Sequence, residues 1–198
     1  MAPPTHSPNR RKPSFFADES AIAAVEMAFI APVALIMFSL AIAGGESLTV
    51  YHKVVLAAHT ATDLVSRTPY SRDPNVSGAE TISLSQFNAD VALSQMVLYP
   101  YDATNLAVTV SELKYVSGTN TQWTVTWSQP YNGGVALATG TTLTLDPSFA
   151  QSGATYLLYG QVAYPFQPLG GVLSLPAMTL SGTEILTIRN APQITAPS

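Results

Sequence analysis

Residues 21–43 read Ala-Ile-Ala-Ala-Val-Glu-Met-Ala-Phe-Ile-Ala-Pro-Val-Ala-Leu-Ile-Met-Phe-Ser-Leu-Ala-Ile-Ala, and Glu26 is the one charged side chain among them. Coiled as an α-helix rising about 1.5 Å per residue, the run is roughly 34 Å long, enough to cross a hydrocarbon layer of about 30 Å. This segment is expected to span a membrane, and the rest of the fold has to be arranged around it. Its carboxylate is the anomaly. A charged side chain at mid-membrane costs about 2.5 to 3.5 kcal/mol on insertion scales, so an acid kept there points to a partner or a task.

Beyond this helix and its continuation lie residues 69–198, enough for one domain with its own core. The eight basic residues form no patch: after Lys12 they are Lys53, Arg67, Arg72, Lys114 and Arg189. Nucleic-acid binding is not expected. The chain has no cysteine, which removes thiol catalysis, thiolate metal sites and disulfides together and fits an extracytoplasmic bacterial protein. Arg10, Arg11 and Lys12 precede the span, whereas its far flank begins Gly44-Gly45-Glu46 and has no basic residue before Lys53. By the positive-inside tendency the N-terminus stays in the cytoplasm and the remainder is exported across the bacterial inner membrane.

Taken in order, residues 1–14 hold four prolines and little that is apolar, and read as a disordered cytoplasmic leader. Asp18, Glu19 and Ser20 supply helix-starting chemistry, with Ser20 as the cap. Pro32 inside the span predicts a kink, not a stop. Past Ala43, the residues Leu48, Tyr51, Val55, Ala58, Thr62 and Val65 recur at three- and four-residue steps, an amphipathic stripe that prolongs the helix to Thr68, where Pro69 ends it. Residues 70–78 read as a loop. Ser83 with Gln86 predicts a capping box for a second helix over residues 84–98, closed by Tyr99-Pro100. Two alternating runs, 106–116 and 122–128, flank a Gly-Asn turn and predict a β-hairpin. Further strands are expected over 156–164 and 178–189, with a short helix or loop at 146–150, a Pro/Gly-rich loop over 165–176 and a frayed end over 195–198. The expected class is α+β: a long N-terminal transmembrane and amphipathic helix followed by a small antiparallel sheet of about four strands, a pilin-like layout.

The run Ala21-Ile-Ala-Ala-Val-Glu26-Met-Ala-Phe-Ile-Ala-Pro32 resembles the N-terminus of TadE-like pseudopilins, the minor pilin-like proteins of the tight-adherence (Flp) pilus and secretion machinery. In that family a basic leader precedes a Gly, four mostly apolar residues, a Glu, usually an aromatic, and an apolar span with a nearby Pro. Here Ala21 stands for the Gly and Met27 for the aromatic. Segments 162–169 and 180–189 also look like the family's closing strands. The resemblance implies that a prepilin peptidase cuts between Ala21 and Ile22, leaving residues 1–21 as leader, 22–68 as helix and 69–198 as exported domain. It further implies that Glu26, fifth in the mature chain, pairs with the new N-terminal amine of a neighbouring subunit. That ammonium has a reference pKa of about 7.7 to 8, and a carboxylate costly alone but satisfied by a partner favours assembly.

Other candidates have plainer readings. His52 and His59 are two helical turns apart, roughly 10 Å, too far to share a metal; His59 and Asp63 at i and i+4 read as a solvated polar face. Trp123 and Trp127 share strand parity, predicting one aromatic face of that strand, most simply packed in the core. No serine has the surroundings of a nucleophile, no cofactor motif is present, and the expected role is not enzymatic. It is structural: a minor pseudopilin working with membrane lipid, prepilin peptidase, other pilin-like subunits and the pilus machinery. The alternative is a secreted or anchored periplasmic binding protein, because Ala41-Ile-Ala43 before Gly44 fits an ordinary signal-peptidase site.

Overall fold

The computed structural model describes residues 19–67, 71–72, 79–151, 153–171, 175–189 and 191–197. The expected leader, Asp18, the helix stop at Thr68 and Pro69, and residues 73–78 of the expected loop lie outside the described residues. The chain divides into two compact units, Met1–Gly44 and Gly45–Ser198, and the helix α1 (Glu19–Arg67) contributes to both. α1 continues through Pro32 and through Gly44 and Gly45. Ser20 lies inside the described helix and is not a cap ahead of it. At the other end Arg67 pairs with Asp63 one turn back at 2.9 Å, a cation placed where the helix dipole favours it.

The unit from Gly45 onward carries, after α1, the strands β1 (Ser71–Arg72) and β2 (Ala79–Thr81), the helix α2 (Leu84–Ser94), the hairpin β3 (Ala107–Tyr115) and β4 (Gln122–Tyr131), then β5 (Thr142–Thr144), the short helix α3 (Pro147–Gln151), β6 (Tyr156–Phe166), β7 (Met178–Thr187) and β8 (Gln193–Thr195). The class is α+β, as expected. The main sheet is antiparallel with five strands in the order β5-β4-β3-β6-β7, one more than the sequence suggested; the addition is three-residue β5, too short to show alternation. A second sheet, β1-β2-β8, corrects two expectations. Ser71–Arg72 is a strand, not loop, and Thr195 is not frayed but pairs in parallel with Thr81. Strands of two or three residues exist because of their neighbours, and nothing in their own sequence announces them.

Ser83 caps α2 as expected, its hydroxyl accepting from the Gln86 N–H at 3.2 Å. The box is not closed reciprocally: the Gln86 side chain turns forward and donates to Asp90 at 2.9 Å. From Gln95 to Leu98 the helix tightens into a 3₁₀ turn that ends at the cis Tyr99-Pro100 bond.

Residues 45–67 of α1 lie against one face of the sheet. The buried side of this stretch is Val50, Val54, Ala57, Ala58, Ala61 and Val65. The expected stripe agrees with it at Ala58, Thr62 and Val65 but fails at its larger members, for Leu48 and Tyr51 are exposed. The reason is close approach. A Cβ on Gly160 of β6 would overlap the Thr62 hydroxyl, and one on Gly182 of β7 would come within 3.0 Å of the Val55 Cα. Backbones this close admit Ala, Val and Thr between them and turn bulkier side chains aside. α2 adds Phe87 and Val91 to the same core.

The opposite face of the sheet holds a second core of Leu113, Trp123, Val125 and Leu157, covered in part by Leu143 and Phe149. This overturns the expectation of one aromatic face on β4. Between Glu112 and Leu113 the register with β4 slips by one residue: Glu112 faces Trp127, but Leu113 faces Val125. The bulge at Thr126 inverts the alternation, so Trp127 joins the core beneath α1 while Trp123 joins the other.

Candidate functional site

In the N-terminal part of α1 the large apolar side chains are exposed; Phe29 and Met37 show 75% and 68% of their surface. This helix is long and apolar enough to cross a membrane, and its most apolar stretch is almost wholly unburied. A helix of the same composition inside a globular core would have these side chains covered. Glu26 lies in this stretch, exposed, between Val25 at 52% and Met27 at 62%.

The bond between Ala21 and Ile22, expected as a processing site, lies within α1, and Glu26 follows Ile22 by one helical turn.

The domain contains an ionisable group that the sequence analysis did not single out. Glu112 on β3 is fully buried. Its Oε2 accepts from the Thr126 hydroxyl at 2.6 Å and its Oε1 from the Ile194 N–H at 2.8 Å. Burial pushes its carboxyl from the ordinary 4.5 up to about 7, against the opposing effect of hydrogen bonds from Thr126, Ile194 and Gln193 and of the Lys114 charge. One signal was available: Glu112 shares the strand parity of Val108 and Val110, an acid at a core position. The group fastens β8 to the sheet, and its arrangement is structural.

His59 and Asp63 are not merely solvated. His59 Nδ1 lies 3.4 Å from Glu184 of β7, and Asp63 pairs with both Arg67 and Arg189. His52 stacks edge-on with Tyr51 and is exposed, away from this cluster. Among the described residues no three of His, Cys, Asp and Glu come together as a metal site. A groove of about 270 Å³ crosses β3, β6 and β7 beside Val135, lined by small residues such as Ala107, Ala163 and Ser181 and by no ionisable group.

No family model matches this chain, and neither a curated protein nor a solved structure gives a match.

Proposed function

We propose that the chain is a membrane-anchored minor pseudopilin that takes part in assembling a tight-adherence type pilus or a related secretion machine. The observation that carries this reading is Glu26, the one charge between Ser20 and Gly45, presented on a helix whose surrounding apolar side chains are all turned outward. In lipid such a carboxylate favours any arrangement that gives it a cation, and the amine released by cutting before Ile22 would be one on a neighbouring subunit. In this reading prepilin peptidase removes residues 1–21 on the cytoplasmic side, α1 anchors the subunit in the inner membrane, and the α+β domain outside contacts other pilin-like subunits.

A second reading, a secreted binding protein released after Ala43, is favoured by the compact unit beginning at Gly45. Mass spectrometry of the mature N-terminus decides between them. An N-terminus at Ile22 supports the pseudopilin, one at Gly44 the secreted protein, and an intact Met1 or Ala2 an unprocessed anchor that lacks the free amine the first reading needs.

A further inference from the structure

Two hydrogen-bonded struts tie loops of the domain to the first turns of its helix. The Glu46 carboxylate accepts from the Leu169 N–H at 2.8 Å, holding the turn that follows β6. The Lys53 ammonium donates to the carbonyls of Tyr99 at 2.8 Å and Val97 at 3.2 Å, holding the segment between α2 and β3. The segment after α2 also meets the end of β6, from which the other loop leaves: Tyr101 packs edge-on against Phe166 at 6.3 Å, and the Tyr164 hydroxyl donates to the Asp102 carbonyl at 2.8 Å. Met178, which opens β7, is the register partner of Phe166 and so lies at the same end.

This end follows the apolar span directly. Glu46 is three residues past Ala43, at most about 11 Å of chain in any conformation. Lys53 is ten residues past Ala43, about 15 Å along the helix, and its side chain leans back toward the helix N-terminus. The headgroup layer on each side of a bilayer is itself roughly 5 to 7 Å deep. At this end the domain exposes what a globular surface ordinarily covers: Tyr99 at 81%, Met96 at 73%, Leu48 at 59%, Tyr51 at 44% and Met178 at 41%. The charged side chains described here are Glu46 and Lys53, both engaged in struts, and Asp102, whose carboxylate is held below its usual range by the Thr104 hydroxyl and N–H. Tyrosine beside apolar side chains and a lysine is the composition of a membrane–water boundary.

We propose that this end of the domain, presenting Leu48, Tyr51, Tyr99 and Met178, rests against the headgroup layer of the bilayer that α1 enters, with the Glu46 and Lys53 struts holding its loops there. The inference rests on residues 21–43 crossing a membrane and adds a second lipid contact made by the domain itself. Because its side chains are apolar or aromatic and its three charges leave a single net negative one, the contact needs no anionic lipid and depends little on salt.

The absence of cysteine makes the test direct. Single variants Leu48→Cys, Tyr99→Cys and Met178→Cys of the full chain are labelled with an environment-sensitive fluorophore and reconstituted in phosphatidylcholine vesicles doped with nitroxide lipids. Leu35→Cys reports on the span and Asn120→Cys on the hairpin turn at the opposite end of β3. The expected result is quenching at Leu48 and Met178 at least twofold stronger than at Asn120, with Tyr99 between them, little changed in high salt. Quenching at Leu35 with the three domain sites no stronger than Asn120 overturns the proposal and leaves the anchor standing. Equal quenching at all sites, Asn120 included, also overturns it. An unquenched Leu35 removes the anchor and this inference together.

Discussion

The indole Nε1 of Trp127 donates to the Ile194 carbonyl at 2.7 Å across 67 residues of chain. Ile194 is held from its other side as well, its N–H donating to Glu112, the residue that faces Trp127 in the β3–β4 ladder. Both backbone groups of one residue in a three-residue strand are thus satisfied by side chains of the main sheet, and the Ile194 side chain is fully buried between them. In this way a strand too short to persist alone becomes part of the core.

The two tryptophans offer a matched comparison. Trp123 is as buried as Trp127, but its Nε1 has no hydrogen-bond partner among the described residues. Substitution by Phe removes the same atoms at both sites, so Trp127→Phe is expected to destabilise the domain by about 1 to 3 kcal/mol more than Trp123→Phe, because it orphans a buried carbonyl while the other removes an orphaned donor. Denaturant unfolding of the two variants in detergent gives the difference directly, and equal losses would count against this assignment of the hydrogen bond.

Glu112 makes stability depend on pH. Its folded pKa is raised, from 4.5 to about 7, so below 4.5 both folded and unfolded chains hold the proton and its contribution is complete. Between 4.5 and 7 the unfolded chain releases a proton that the folded one keeps, and stability falls as pH rises through that window, by about 3 kcal/mol in total. Glu112→Gln preserves an acceptor for Ile194 and cannot ionise. Unfolding free energies measured from pH 4 to pH 8 should slope downward in the parent and lose most of that slope in the variant.

Gly160 is where β6 passes under α1. Gly160→Ala is expected to cost about 1 to 3 kcal/mol, since its methyl meets the Thr62 hydroxyl, which is itself bonded to the Ala58 carbonyl at 2.7 Å. Removing that hydroxyl as well, in Gly160→Ala with Thr62→Ala, should recover part of the loss. A double-mutant cycle by thermal unfolding reads the coupling, and strictly additive losses would show that the two residues do not meet.

Glu26→Ala addresses the proposed function. Insertion should be intact or improved, because the substitution removes the one charge from the span. Pilus assembly and co-purification of partner subunits should be lost. Membrane fractionation beside a pull-down from the native host separates the two effects, and wild-type assembly in the variant would sink the proposed role.

Much of the organisation was legible in the chain. The apolar run, its continuation to Arg67, the cap at Ser83, the β3–β4 hairpin and the two later strands each carry a local signal: periodicity, a capping hydroxyl, alternation around a Gly-Asn turn. The proposed site is legible too, because an acid in an apolar helix is conspicuous in one dimension. Glu112 was only half legible: its parity with Val108 and Val110 puts it on the core face, but the partners that satisfy an acid there, Thr126 and the Ile194 N–H, are brought by other strands.

What the sequence determined alone is whatever depends on neighbours a few residues away: where helix gives way to strand, and that residues 21–43 are apolar around the helix except at Glu26. Tertiary structure decided which side of α1 turns inward, because the backbone clearance at Gly160 and Gly182 selects small residues over the larger Leu48 and Tyr51. It also decided that Trp123 and Trp127 part to opposite cores at one bulged residue, and that Gln193–Thr195 forms a strand at all. Those outcomes turn on contacts between residues tens of positions apart, and neither periodicity nor propensity along the chain carries that information.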